Sequence, residues 1–174
     1  MNRMMAIGIG CGIVVGLLVT FILLIVMRTD GSLKAKYDER QELVRGRGFK
    51  YGFFTMMIYY AIYGYLGVAF EEIPIDHMVG CMLGILIGVM VHACYCIWNE
   101  GYFALNENRK RVLIIFAVVA IVNFLIAGRN MVHGEMVQDG VLTIQSLNLF
   151  CGVLLIVIAV VLFLKDHLGA KGEE

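Results

Sequence analysis

The feature that most constrains this chain is a run of 24 residues, Met4 to Met27, without a single charged side chain. As a helix rising about 1.5 Å per residue it is long enough to cross a hydrocarbon core about 30 Å thick with some tilt. The run exceeds the apolar region of a secretory signal, and no Ala-x-Ala site precedes a polar stretch, so a spanning helix is the expectation. Four more apolar runs follow, at 51–70, 78–98, 112–127 and 143–164. Together they predict an all-α integral membrane bundle of five transmembrane helices forming a single membrane domain over residues 1–174. The composition agrees, being 60% hydrophobic with a mean hydropathy of +0.83 where a soluble domain is nearer half apolar. The one Pro and 20 Gly suit helices that approach closely in lipid.

Charge placement orients the bundle. With the N-terminus outside and the C-terminus inside, the cytosolic loop 28–50, the loop ending Arg109-Lys110-Arg111 and the tail hold twelve of the fourteen basic residues, leaving Arg3 and Arg129 outside. The positive-inside rule selects this orientation. Outside fall Glu71, Glu72, Asp76, Glu135 and Asp139, with His77 and His133, and no ligand-spaced motif links them into a cation site. A net charge of zero gives no basis for nucleic-acid binding. The five cysteines lie within or at the ends of apolar runs, which argues for small packing residues rather than a disulfide framework.

Local signals refine the elements. Asp38 is placed to cap a helix that presents Glu39, Arg40 and Glu42 on an exposed face. Gly46 and Gly48 weaken helix propensity before the second span and mark either a bend or a close approach of lipid headgroups. Pro74 stops the second helix, and the short acidic turn it occupies suits an antiparallel helical hairpin. Asp139-Gly140, flanked by Met131-Val132 and Val141-Leu142, signals a small external hairpin. The fourth run has 16 residues, about 24 Å, and so must stand upright or have its flanking cations snorkel.

Two glycine stripes recur every four residues, Gly8, Gly12, Gly16 and Gly80, Gly84, Gly88, and each gives one helix a face that another backbone can approach. The second stripe continues into His92 and Cys96, two conceivable metal ligands on one helix face. Depth counted from the inner ends of helices two and three puts His92 level with Tyr59 and Thr55. The expectation is a hydrogen bond between His92 and one of them. Tyr59, His92 and Asn123 are therefore the candidate intramembrane polar site. Arg45, Arg47 and Lys50 form a candidate contact for anionic lipid or a cytosolic partner. No catalytic motif, metal site or cofactor fingerprint is present.

Tyr-Asp-Glu-Arg-Gln at 37–41 followed by Arg-Gly-Arg-Gly-Phe-Lys-Tyr at 45–51 resembles a juxtamembrane signature of small, uncharacterised multi-pass membrane proteins of bacteria. The resemblance implies a cell-membrane location and brings no catalytic residue with it. The sequence thus points to a non-catalytic integral membrane protein, an accessory or self-associating subunit whose partners are the lipid bilayer and either a second copy (a homo-oligomer) or another membrane protein. The alternative is a small transporter or channel built on the polar site, and the third reading is a membrane enzyme acting on lipid with His92 as base.

Overall fold

The computed structural model describes the backbone of residues 3–27, 29–30, 34–70 and 72–171, and side chains over those stretches from 14 to 168. Among the described residues the chain forms five α-helices: α1 (Arg3–Val26), α2 (Glu39–Ala69), α3 (His77–Trp98), α4 (Arg109–Val132) and α5 (Leu147–Lys171). A two-stranded hairpin, β1 (Val137–Gln138) and β2 (Val141–Leu142), and a 3-10 turn (Ile144–Ser146) join α4 to α5. Four helices, α2 to α5, are long and apolar enough to cross a membrane. The described side chains of α1, Val14–Val26, continue as a shorter apolar stretch.

Helix α2 differs most from expectation. It starts at Glu39, behind a capping box in which Asp38 accepts from the Gln41 amide and Gln41 reaches back to the Asp38 amide. It then runs 31 residues without a break, about 46 Å. Much of the expected loop 28–50 is therefore helix. The helix continues through Gly46 and Gly48, and at Gly48 the neighbouring α3 compensates the poor propensity. An added Cβ at Gly48 would lie 2.8 Å from Cys96 Sγ and 3.0 Å from His92 Nδ1. One at Gly52 would lie 2.6 Å from the Gly88 carbonyl oxygen. Glycine is the residue that lets these two backbones meet.

The stripe on α3 receives α2 along its whole length. Gly88 faces Gly52 and Met56, Gly84 faces the rings of Tyr59 and Tyr60, and Gly80 faces Tyr63. The phenols complete the seam by hydrogen bonding. Tyr59 donates to the Gly80 carbonyl at 2.8 Å and Tyr60 to the Cys81 carbonyl at 2.7 Å. These carbonyls are shared with the α3 backbone ladder, using the second lone pair that a helical oxygen retains.

On its other side α3 packs against α5, and α5 against α4, around Ala93, Ile97, Leu154, Ile158 and Leu162 with Leu113 and Phe116 alongside. Gly152 of α5 lets the Phe124 ring of α4 close in, since a Cβ there would sit 2.9 Å from it. Helix α4 runs on past Ala127 to Val132, 24 residues rather than 16, so it is not short: Gly128 to Val132 read as loop but are carried as its last turns. Asn130 at this end is buried, and donates to the Gln145 carbonyl at 3.2 Å. Beyond it the hairpin turns through Asp139 (φ 51°) and Gly140 (φ 79°), the left-handed pair that a two-residue hairpin loop requires. The strand flanking it on the first side is Val137–Gln138, not Met131-Val132 as the sequence suggested. Leu142 also bonds the turn before α3, through Asp76 N–H to Leu142 O at 2.8 Å and Leu142 N–H to Pro74 O at 3.0 Å.

Helix α1 stands apart. Its described side chains are mostly exposed, and Gly16 has no heavy atom within 4 Å of an added Cβ. The surroundings of Gly8 and Gly12 lie outside the described residues. What holds α1 is its C-terminal end. The Asn108 amide donates to Met27 O at 3.0 Å, and Thr29 N–H donates to Asn106 O at 2.9 Å.

The glycine seam yields a direct expectation. Gly52→Ala should destabilise the protein by about 1–3 kcal/mol through overpacking, despite alanine's better helix propensity. Gly64→Ala, where nothing lies within 4 Å, should be neutral or stabilising by up to about 1 kcal/mol. Unfolding of both variants in detergent micelles measures the difference, and equal stabilities would show that the seam is not tight.

Candidate functional site

The polar residues singled out in the sequence do not converge. Tyr59 is committed to Gly80, as above. Asn123 donates to the Val119 carbonyl of its own helix at 2.8 Å. His92 bonds neither Tyr59 nor Thr55. It stacks on Phe49 with ring centroids 4.1 Å apart, and its Nδ1 lies 3.8 Å from Cys96 Sγ. The expected register is off by about two turns, for a physical reason. Depth had been counted from Tyr51 and Trp98 as matching ends. The contact of Gly52 with Gly88, and that of Val44 with Gly101, slide the last turn of α3 back beside the charged start of α2. The His92–Cys96 pair gains no further ligands, since among the described residues no group of three or more His, Cys, Asp and Glu is placed to hold a metal ion.

The polar side chains that do converge sit at the basic end of the bundle, where α2 and α4 begin and α3 and α5 finish. Asn106, 6% exposed, ties the segments together. Its Nδ2 donates to both carboxylate oxygens of Asp30 (3.1 and 3.2 Å) and to Lys34 O (3.1 Å), and its Oδ1 accepts the Lys36 amide at 3.0 Å. Sequence reading passed over Asn106, since an Asn in a polar loop carries no signal of its partners.

Glu100 is the second organiser. It ends α3 in the left-handed region (φ 60°), its amide donating to Ile97 O at 3.1 Å and the next amide, Gly101, to Cys96 O at 2.8 Å. This closing pattern normally takes glycine. A glutamate there aims its carboxylate at two cations, Lys165 of α5 and Arg40 of α2, each at 3.3 Å. Arg109 of α4 meets Asp166 of α5 at 2.6 Å beside them. All four bundled helices are thereby linked at one end. The hydrogen bond and charge of Lys165, helped by Arg40, hold the Glu100 carboxyl below its ordinary value of 4.5.

Three cavities meet at Tyr102, in the loop between α3 and α4. One of about 420 Å³ lies under the charge links and is lined by Gln41, Glu100, Arg109, Lys165 and Asp166. A second, of about 330 Å³, is an apolar slot between α4 and α5 that includes Phe116, Ile121, Phe124, Ile156 and Ile158. The third, of about 310 Å³, is walled by Tyr37, Arg45, His92 and Glu107 on its polar side and Val89, Ala93, Phe116 and Ile158 on its apolar side. The Tyr102 ring makes edge contacts with Phe103 and Phe116 at 5.1 and 6.4 Å, and its hydroxyl has no hydrogen-bond partner among the described residues. Burial, reinforced by the neighbouring Glu107 charge, pushes the Tyr102 phenol up to about 12, so it remains a neutral donor at physiological pH.

Of the Arg45, Arg47 and Lys50 group, Arg45 turns inward, its guanidinium 4.0 Å above the Tyr37 ring, while Arg47 and Lys50 stay on the exposed face of α2. Comparison with protein-family models, with curated proteins and with solved structures finds no match to this chain, so its site is interpreted from its own residues.

The Glu100 links predict an acid-sensitive fold. A carboxyl held below its ordinary value contributes stability that is present above about pH 4.5 and is lost as pH falls through its folded value. The unfolding midpoint should therefore drop more steeply below pH 4.5 for the native chain than for Glu100→Gln. The variant should be less stable than the native chain at pH 7, and the gap should close as pH falls through the folded value of Glu100. Because these side chains are well exposed, the gap should shrink in high salt.

Proposed function

We propose that the chain is a five-span protein of the cell membrane, N-terminus outside and C-terminus inside, that works without catalysis as an accessory or self-associating subunit of a membrane assembly. The observation that carries this reading is α1. The four other helices pack together, whereas α1 is fastened at its foot and leaves the largely exposed side chains of Val14–Val26 and the open face at Gly16 available. Lipid alone covers apolar side chains well, but small residues repeating along one helix gain most from a second backbone at close range. The bacterial juxtamembrane resemblance and the gathering of cations at one end support the location and orientation.

The transporter reading draws less support. Tyr59 and Tyr60 have their one donor each spent on backbone carbonyls, and Asn123 donates to a carbonyl of its own helix, rather than converging on a path for a moving solute. An enzyme using His92 as base also draws less support: the ring is stacked on Phe49 beside Cys96, and among the described residues no hydrogen bond joins it to the Tyr102 or Glu107 that line the same cavity.

Native mass spectrometry after mild detergent extraction from the source membrane tests the subunit reading. The expected result is a homo-oligomer or a stoichiometric complex with a second membrane protein, dissociated by Gly16→Leu and left intact by Gly64→Leu. A monomer in the mildest detergent would overturn it.

A further inference from the structure

The cavity walled by Arg45 and Glu107 has an unusual charge arrangement. Of the three cations that line the cavities around Tyr102, Arg109 and Lys165 are each engaged with a carboxylate. Arg45 is not. It shares its cavity with Glu107, yet the two make no salt bridge. Glu107 uses one oxygen, Oε2, to accept the Ala104 amide at 3.0 Å, leaving Oε1 for another donor. Tyr102, whose hydroxyl has no hydrogen-bond partner among the described residues, and His92 line the same cavity. A half-buried cation and anion that face one space without meeting are both under-compensated, and a ligand carrying the opposite charges in the opposite order would satisfy them together.

The remaining walls say what such a ligand must be attached to. Val89, Ala93, Phe116 and Ile158 are among its apolar lining. Phe116, Ile158 and Tyr102 are also walls of the apolar slot, which extends between α4 and α5 to the exposed side chains of Ile121 and Ile156. Chamber and slot are thus neighbours across three shared side chains, with the polar groups at the basic end and the slot opening sideways along the helices. A compact zwitterion joined to a hydrocarbon chain fits this order of surfaces, and a bilayer supplies such molecules from the side.

We propose that the chamber and slot bind one phospholipid with a phosphoethanolamine head. Its phosphate is held by the Arg45 guanidinium and the Tyr102 hydroxyl, its primary ammonium by Glu107, and one acyl chain lies in the slot between α4 and α5. Arginine suits a phosphate because its fork of N–H groups matches two oxygens. Glu107 selects an ammonium that still has N–H donors, which a trimethylated head lacks. The assignment is independent of whether α1 has a partner.

The experiment uses the full chain, purified in mild detergent and examined by native mass spectrometry. The probe is an equimolar mixture of phosphatidylethanolamine and phosphatidylcholine with matched acyl chains. The native protein should retain the ethanolamine lipid about tenfold over the choline lipid, the effect of roughly one charge-assisted hydrogen bond. Tyr102→Phe, which keeps the ring contacts, and Arg45→Gln should each reduce retention several-fold. Glu107→Gln should abolish the preference between the two heads. Thermal unfolding of each variant separates loss of binding from loss of fold, and should Arg45→Gln not fold, Tyr102→Phe decides. Equal retention of both lipids by the native chain, or retention unchanged in Tyr102→Phe, would overturn the proposal. So would tight binding of soluble O-phosphoethanolamine with no lipid retained, since the source would then be aqueous rather than the bilayer.

Discussion

The contact between Gly52 and Gly88 is the constraint on which the rest of the arrangement depends. Two helical backbones meet there so closely that a methyl group on Gly52 would sit 2.6 Å from a carbonyl oxygen. In an apolar surrounding helices gain little from hiding hydrophobic side chains, so close packing and hydrogen bonds must hold them. The glycine contact fixes the relative height of α2 and α3. That height in turn drops the Tyr59, Tyr60 and Tyr63 rings into the hollows left by Gly80 and Gly84, and brings two of the phenols within reach of α3 carbonyls. It also carries Gln41 to the end of α3, where its side-chain amide donates to Glu100 O and Phe103 O.

From that register the basic end follows. Because α3 finishes beside the first turns of α2 rather than at Tyr51, Glu100 emerges level with Arg40, and α5 presents Lys165 to the same carboxylate. The unusual backbone of Glu100 is understandable in this light. A glycine would end the helix at lower conformational cost but could not join α2 to α5. The loop that follows is then held against the bundle by Tyr102 and Phe103 on one side and by the buried Asn106 on the other. Polar groups here serve as fasteners for connecting segments, while those between the helices serve as fasteners for the helices themselves.

How much of this was legible in the sequence divides along a physical line. Long apolar runs, the cap at Asp38, the stop at Pro74 and the turn at Asp139-Gly140 are local signals, and each marks an element that is present. The glycine stripe on α3 was legible as a packing face because its period matches the helix. What escaped depends on tertiary height. The helix start at Asp38 is local, but Gly46 and Gly48 read as a break before the second span at 51, yet the helix runs on through them, with Gly48 and Gly52 meeting a partner surface on α3. His92 was placed with Tyr59 by counting from composition boundaries, and the glycine contact sets a different zero. No local signal marks Asn106, and Tyr102 reads only as one of the aromatic residues at the exit of the third run, since their importance comes from segments distant in the chain.

The two ends of the polar inventory also differ in what they leave over. Along α2 and α3 three tyrosine rings fill the hollows at Gly80 and Gly84 and two of the phenols donate to α3 carbonyls, and a donor without an acceptor in an apolar surrounding is costly, so such a seam has little room to change its partners. At the basic end the matching is incomplete. Arg45 rests on a ring, and among the described residues Glu107 has one oxygen without a donor and the Tyr102 hydroxyl has no partner. Rigid helices on every side position these groups, and the adjoining slot is apolar. A seam that commits two phenols to α3 carbonyls, beside an end where a cation, a carboxylate and a phenol line one cavity with no bond among them in the described residues, separates the part that builds the fold from the part open to a ligand.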